Sequence, residues 1–125
     1  MSLDVDVFVV EESGEIRILD VPPGCSDRAG FERWRRTVWG SETVRSLGAR
    51  FFPKLADGDL YVHPTDVPAF IAECLVVRTR VDRIAARMPT SEPYAFTVEL
   101  LEQRLGNITD AARRAQRIGG GVLIW

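Results

Sequence analysis

From Leu3 to Val9 the chain alternates, with Leu3, Val5, Val7 and Val9 apolar and Asp4 and Asp6 set between them. A period of two marks a strand with one face in a core. Glu11-Glu12-Ser13-Gly14 supplies a turn, and Glu15 to Val21 resumes the alternation with Ile16 and Ile18 on one face. Together these segments predict a β-hairpin, which Pro22-Pro23-Gly24 ends. Ser26 or Asp27 then stands where a helix N-cap belongs, and Phe31, Trp34 and Val38 share a helical face ahead of Gly40. Ser41 opens a short second helix that Gly48 closes. Ala49 to Leu55 and Asp59 to His63 flank Asp57-Gly58, a hairpin turn signal, with Pro53 making the first of these an edge or bulged strand.

The period changes at Pro64. Val67, Phe70, Ile71, Cys74, Val77, Val81, Ile84, Ala85 and Met88 follow helical spacing, with Pro68 in the first turn. A second stripe runs through Tyr94, Val98, Leu101, Leu105, Ile108, Ala112 and Ala115 in alternating steps of four and three. Gly106-Asn107 lies inside it, leaving open a break or one long helix. Gly119-Gly120-Gly121 ends the stripe, and Val122 to Trp125 is a short apolar strand whose lack of a polar tail predicts that Trp125 is packed. The expected architecture is a single α+β domain over residues 1–125. Its mainly antiparallel sheet has about five strands in ββαα-ββ-αα-β order, with two long antiparallel helices on one face.

Composition narrows the class. The 125 residues are 46% hydrophobic and 27% charged, an ordinary globular balance for one domain. That excludes a disordered tail, a collagen-like chain and a membrane-spanning protein. The acidic start lacks the positive region and apolar run of a signal peptide, which predicts a cytoplasmic protein with reduced thiols. Cys25 and Cys74 form no C-x-x-C pair and have no histidine at ligand spacing. Lys54 is the one lysine among otherwise arginine cations, a bias expected of a GC-rich genome.

His63, the one histidine, carries most of the catalytic expectation. It precedes Pro64 between the Asp57-Gly58-Asp59 turn and a helix start, so His63 with Asp59 and Asp66 is the candidate for an acid–base or metal-dependent enzyme. The competing reading is a turn with a locally bonded histidine. No zinc, EF-hand or nucleophile-elbow motif occurs, so no catalytic, metal or cofactor residue is expected under the main reading. The triple glycine follows a helix rather than preceding one, which makes it a C-terminal cap and not a phosphate loop.

Charge is segmented although the net charge is only -2. The segment Arg28–Arg50 is basic, and Arg28, Arg35, Arg36 and Arg45 beside Trp34 and Trp39 offer a nucleic-acid surface. The pI near 5.4 favours instead the solvated face of a helix with its tryptophans in the core. Asp4, Asp6, Glu11 and Glu12 on the hairpin, and Asp57 and Asp59 at the later turn, are candidate partner-binding residues. Carboxylates on a rigid surface speed docking to a basic partner, while charges on an exposed strand also prevent edge-to-edge aggregation. A terminal strand at a sheet edge would further permit a homodimer across a two-fold axis.

Two segments carry a resemblance. Asp57-Gly58-Asp59-Leu60-Tyr61-Val62-His63-Pro64, leading to Ala69-Phe70-Ile71-Ala72-Glu73-Cys74, is one. Ala111-Ala112-Arg113-Arg114-Ala115 with Ile118-Gly119-Gly120-Gly121-Val122-Leu123-Ile124-Trp125 is the other. They resemble small actinobacterial α+β proteins, similar in size and style to immunity proteins of bacterial toxin systems. The resemblance implies a non-catalytic inhibitor that occludes a cognate toxin. It transfers no individual residue.

Overall fold

A computed structural model describes residues 1–125 as an α+β fold with a five-stranded antiparallel sheet. β1 (Ser2–Val10) turns back through Glu11–Gly14 into β2 (Ile16–Ile18), pairing Phe8 with Ile18 and Val10 with Ile16. β5 (Gly121–Ile124) lies on the other side of β1, and β4 (Leu60–Val62) lies outside β5. The strand order is β2-β1-β5-β4, and β3 (Arg28–Phe31) pairs with the start of β1 on the same edge as β2. Strand β5 therefore sits inside the sheet and not at its edge. Its backbone is already paired on both sides, which closes the expected route to a homodimer through that strand.

Four helices complete the fold: α1 (Glu42–Ser46), α2 (Val67–Arg78), α3 (Val81–Arg87) and α4 (Tyr94–Ile118). α4 packs on β1, β3 and β5, and α2 and α3 pack on α4. Leu3, Val5, Val7, Val122 and Ile124 point into the resulting core with Leu101, Leu105 and Ile108 from α4. An aromatic chain crosses it: Trp34 meets Trp39, Trp39 stacks on Phe52 at 4.8 Å, and Phe52 meets Phe70. Such contacts add to the area that each ring buries.

Several elements differ from the sequence expectation. Residues 28–31 form a strand where the Phe31–Trp34–Val38 spacing predicts a helix. The reason is non-local. The first half of β1 has an unfilled edge, which β3 takes, with Val5 donating to the Asp27 carbonyl at 2.7 Å and Glu32 to that of Met1 at 3.0 Å. Gly30 permits the path by adopting φ +118°, with Trp34 lying against it where a side chain would stand. Only one wide helical turn, Arg35–Trp39, follows.

The segment Ala49–Leu55 is likewise not a strand, so Asp57-Gly58 joins no hairpin. Phe52–Ala56 is a 3₁₀ turn containing Pro53. Glu73 from α2 accepts the backbone N–H groups of Arg50, Phe51 and Phe52 at that turn's start, bonds that a sheet partner would otherwise supply. The helical run from Pro64 begins as a 3₁₀ turn and divides at Thr79-Arg80, where the Thr79 hydroxyl donates to the Val76 carbonyl. Val77, Val81 and Ile84 stay buried across the division, so the stripe persists while the backbone bends.

Gly106-Asn107 does not break α4. Asn107 instead donates its side-chain amide to the Arg28 carbonyl at 3.0 Å, tying the helix to β3. Gly119 ends α4 in the left-handed conformation, as its place after the stripe predicts. Trp125 is not packed away. It is 44% exposed, and its indole N–H donates to Asp6 at 2.9 Å.

Candidate functional site

The pleat of β1 sorts its side chains. Leu3, Val5 and Val7 go to the core under the helices, and Asp4, Asp6, Phe8 and Val10 go to the opposite side. Register fixes what stands beside them. Ile18 is opposite Phe8, Ile16 opposite Val10, and Leu123 lies between Asp6 and Tyr61. The Phe8 ring lies over Gly121, where an added Cβ would collide with it, and meets Tyr61 edge-on. Phe8 and Leu123 are buried. What remains open is a band of Val10, Ile16, Ile18, Tyr61 and Trp125, each 40–51% exposed. Several half-exposed apolar side chains on one face make it a candidate interaction surface.

Acidic charge prevails on the four strands that carry the band, while Arg28 of β3 stands in register with Asp4 at the far end of the sheet. Along β2-β1-β5-β4 the outward positions include Asp4 and Asp6 and no lysine or arginine. Partial burial, with Asp27 and Asp6 nearby, holds the Asp4 carboxyl above the usual aspartate range. Asp6 accepts the Trp125 indole N–H, which fixes the ring at the end of the band.

The six predicted partner-binding acids do not converge on one patch. Asp4 and Asp6 share the open face. Glu11 and Glu12 lie at the hairpin tip beyond Val10, where Glu11 pairs with Arg17 at 2.6 Å. Asp57 and Asp59 precede β4 on the other flank of the sheet. Asp57 is exposed, but Asp59 is held by Arg35 at 2.8 Å. Arg35 also binds Glu32 and the Gly58 carbonyl, so Asp59 belongs to a clasp that secures the 57–59 turn. Both hydrogen bonds to carboxylates raise the Arg35 pKa against the lowering effect of burial. Sequence reasoning found the acids and missed the apolar band. Its trace lies in Ile16 and Ile18, whose alternation shows a shared face but not the side of the sheet that face occupies.

Other candidates fall in different places. His63 is exposed after β4, with its carbonyl accepting the Asp66 N–H at 2.8 Å. Asp59 is committed to Arg35, and no three His, Cys, Asp or Glu side chains gather as a metal site. Arg28, Arg35, Arg36 and Arg45 lie on a strand, a wide helical turn and α1, because the helix expected to align them does not form. Arg45 donates to the Gly40 carbonyl. Trp34 and Trp39 are each 1% exposed, which leaves neither indole available to stack on a base. Cys25 is exposed and Cys74 buried, both as free thiols.

Compared with known protein families, curated proteins and solved structures, the chain matches none. No helix is long and apolar enough to cross a membrane.

Proposed function

We propose that the protein binds another protein on the open face of its sheet and acts as an immunity-type inhibitor, occluding a cognate toxin without covalent chemistry. One observation carries the reading: an aromatic and aliphatic band on rigid strands, bordered by carboxylates, with no outward lysine or arginine on β2, β1, β5 or β4. Rigid Tyr and Trp side chains lose little entropy on docking and supply the largest hot-spot energies. Asp4 and Asp6 select the partner's sign. The partner therefore presents lysine or arginine side chains beside an apolar projection, as a toxin acting on a polyanion would at its active site.

The test starts with capture of the partner from source cells by an N-terminal tag, followed by reconstitution of the two purified proteins. The pair is expected to form a stoichiometric complex in which the partner's activity is suppressed. Tyr61→Ala should weaken binding about thirtyfold, the effect of losing roughly 2 kcal/mol at an aromatic hot spot. Asp4→Lys with Asp6→Lys should slow association and reduce its salt dependence. Binding should also weaken on acidification, beginning at a higher pH than ordinary aspartate titration implies, because Asp4 loses its charge early. An inhibited complex whose affinity ignores both Tyr61→Ala and Ile18→Asp would place the interface elsewhere.

A further inference from the structure

A second surface has a different chemistry. The ladder of β1 toward β2 ends where Leu19 donates to the Val7 carbonyl, and pairing resumes toward β3 where Val5 donates to the Asp27 carbonyl. Between these bonds the edge of β1 lies uncovered at the floor of a cleft of about 250 Å³. Leu19, Val21 and Pro22 form one wall, and the last turns of α4, with Arg114, Arg117 and Ile118, form the other.

Neither arginine has a carboxylate within ion-pair distance, since Arg17 and Arg35 make all the salt bridges in the protein. Asp20 also lines the cleft without reaching them, and the Asp6 carboxylate is engaged by Trp125. Two unpaired guanidinium groups beside apolar walls suit a ligand with an anionic head and a hydrocarbon body, because the planar fork bonds a carboxylate through two parallel N–H groups. With Asp6 and Asp20 both among its lining, the cleft balances two positive groups with two negative ones, which disfavours a multiply charged phosphate against a singly charged carboxylate. The volume lies below the range of drug-sized sites and sets the body at a few carbons.

We infer that this cleft binds a short aliphatic monocarboxylate, with Arg114 and Arg117 on the carboxylate and the chain against Leu19, Val21, Pro22 and Ile118. The cleft shares Asp6 with the protein-binding face but none of Tyr61, Ile18, Arg114 or Arg117, so variants at those four positions test the two assignments separately.

Sodium hexanoate titrated into the full chain tests it, followed by calorimetry and by amide NMR. The expected result is saturable binding that shifts Val7, Leu19 and Ile118, with no saturable response to hexan-1-ol or inorganic phosphate. Arg114→Gln with Arg117→Gln should reduce affinity at least about tenfold, as loss of charge-assisted bonds requires. If the double variant fails to fold, Arg117→Gln alone, at an exposed position, should still weaken binding severalfold. The inference is overturned by absence of saturable hexanoate binding, by equal binding of hexanol, by phosphate occupying the same residues, or by unchanged affinity in a folded arginine variant.

Discussion

Replacing Glu73 with alanine should destabilise this protein more than its half-buried position on α2 suggests. Its carboxylate accepts three backbone N–H groups, from Arg50 at 2.5 Å, Phe51 at 3.0 Å and Phe52 at 2.9 Å. The amides at Phe51 and Phe52 stand at the entrance to the core, beside two buried rings. A hydrogen bond to a charged group contributes about 1.5–3 kcal/mol, although N–H groups released near the surface partly recover through water. A net loss of about 2–4 kcal/mol follows for the cluster. With about 2.1 cal/mol/K of unfolding entropy per residue, a chain of this length loses roughly 8–15 °C in melting temperature.

Helix propensity opposes the effect, since alanine is the better helix former, so a propensity account predicts slight stabilisation. Glu73→Gln should fall between, because the amide offers one acceptor and turns a donor toward other donors. Thermal unfolding followed by tryptophan fluorescence suits the measurement, as Trp39 stacks on Phe52 directly after the anchored amides. A loss below about 2 °C for Glu73→Ala would refute the assignment of Glu73 as the anchor of the 50–56 segment.

Two further predictions concern backbone and thiols. Gly30→Ala should cost about 3 kcal/mol or more, measured by denaturant unfolding, because it combines a left-handed backbone with overpacking. Its Cβ would lie 2.5 Å from the Trp34 ring at φ +118°. A variant as stable as the parent would show that Trp34 does not pack against this glycine. Burial pushes the Cys74 thiol up to about 12, whereas Cys25 is exposed. A disulfide reagent at pH 8 should therefore titrate one thiol rapidly and the second only after denaturation. Rapid reaction of both would contradict the packing of α2 on α4.

The sequence alone determined several elements whose signal is local. The period of two in β1, the turn at Glu11–Gly14, the Ser41 cap, the Tyr94–Ala115 stripe and the glycine after Ile118 each act over a few residues. Their outcomes follow from side-chain geometry and backbone freedom. Tertiary structure decided the rest, where backbone groups found partners far along the chain. Residues 28–31 became a strand because β1 had an edge to fill, and residues 49–55 did not become one because Glu73 took their N–H groups.

The candidate site divides the same way. Its carboxylates at Asp4 and Asp6 and its aliphatic pair Ile16 and Ile18 were legible as alternation. Their assembly with Tyr61 and Trp125 was not, since it depends on β5 entering the sheet between β1 and β4. Alternation states that a strand has two faces, but it does not state which face the helices will cover. That choice is made by the stripe on α4, which closes on Leu3, Val5 and Val7 and leaves the other side open.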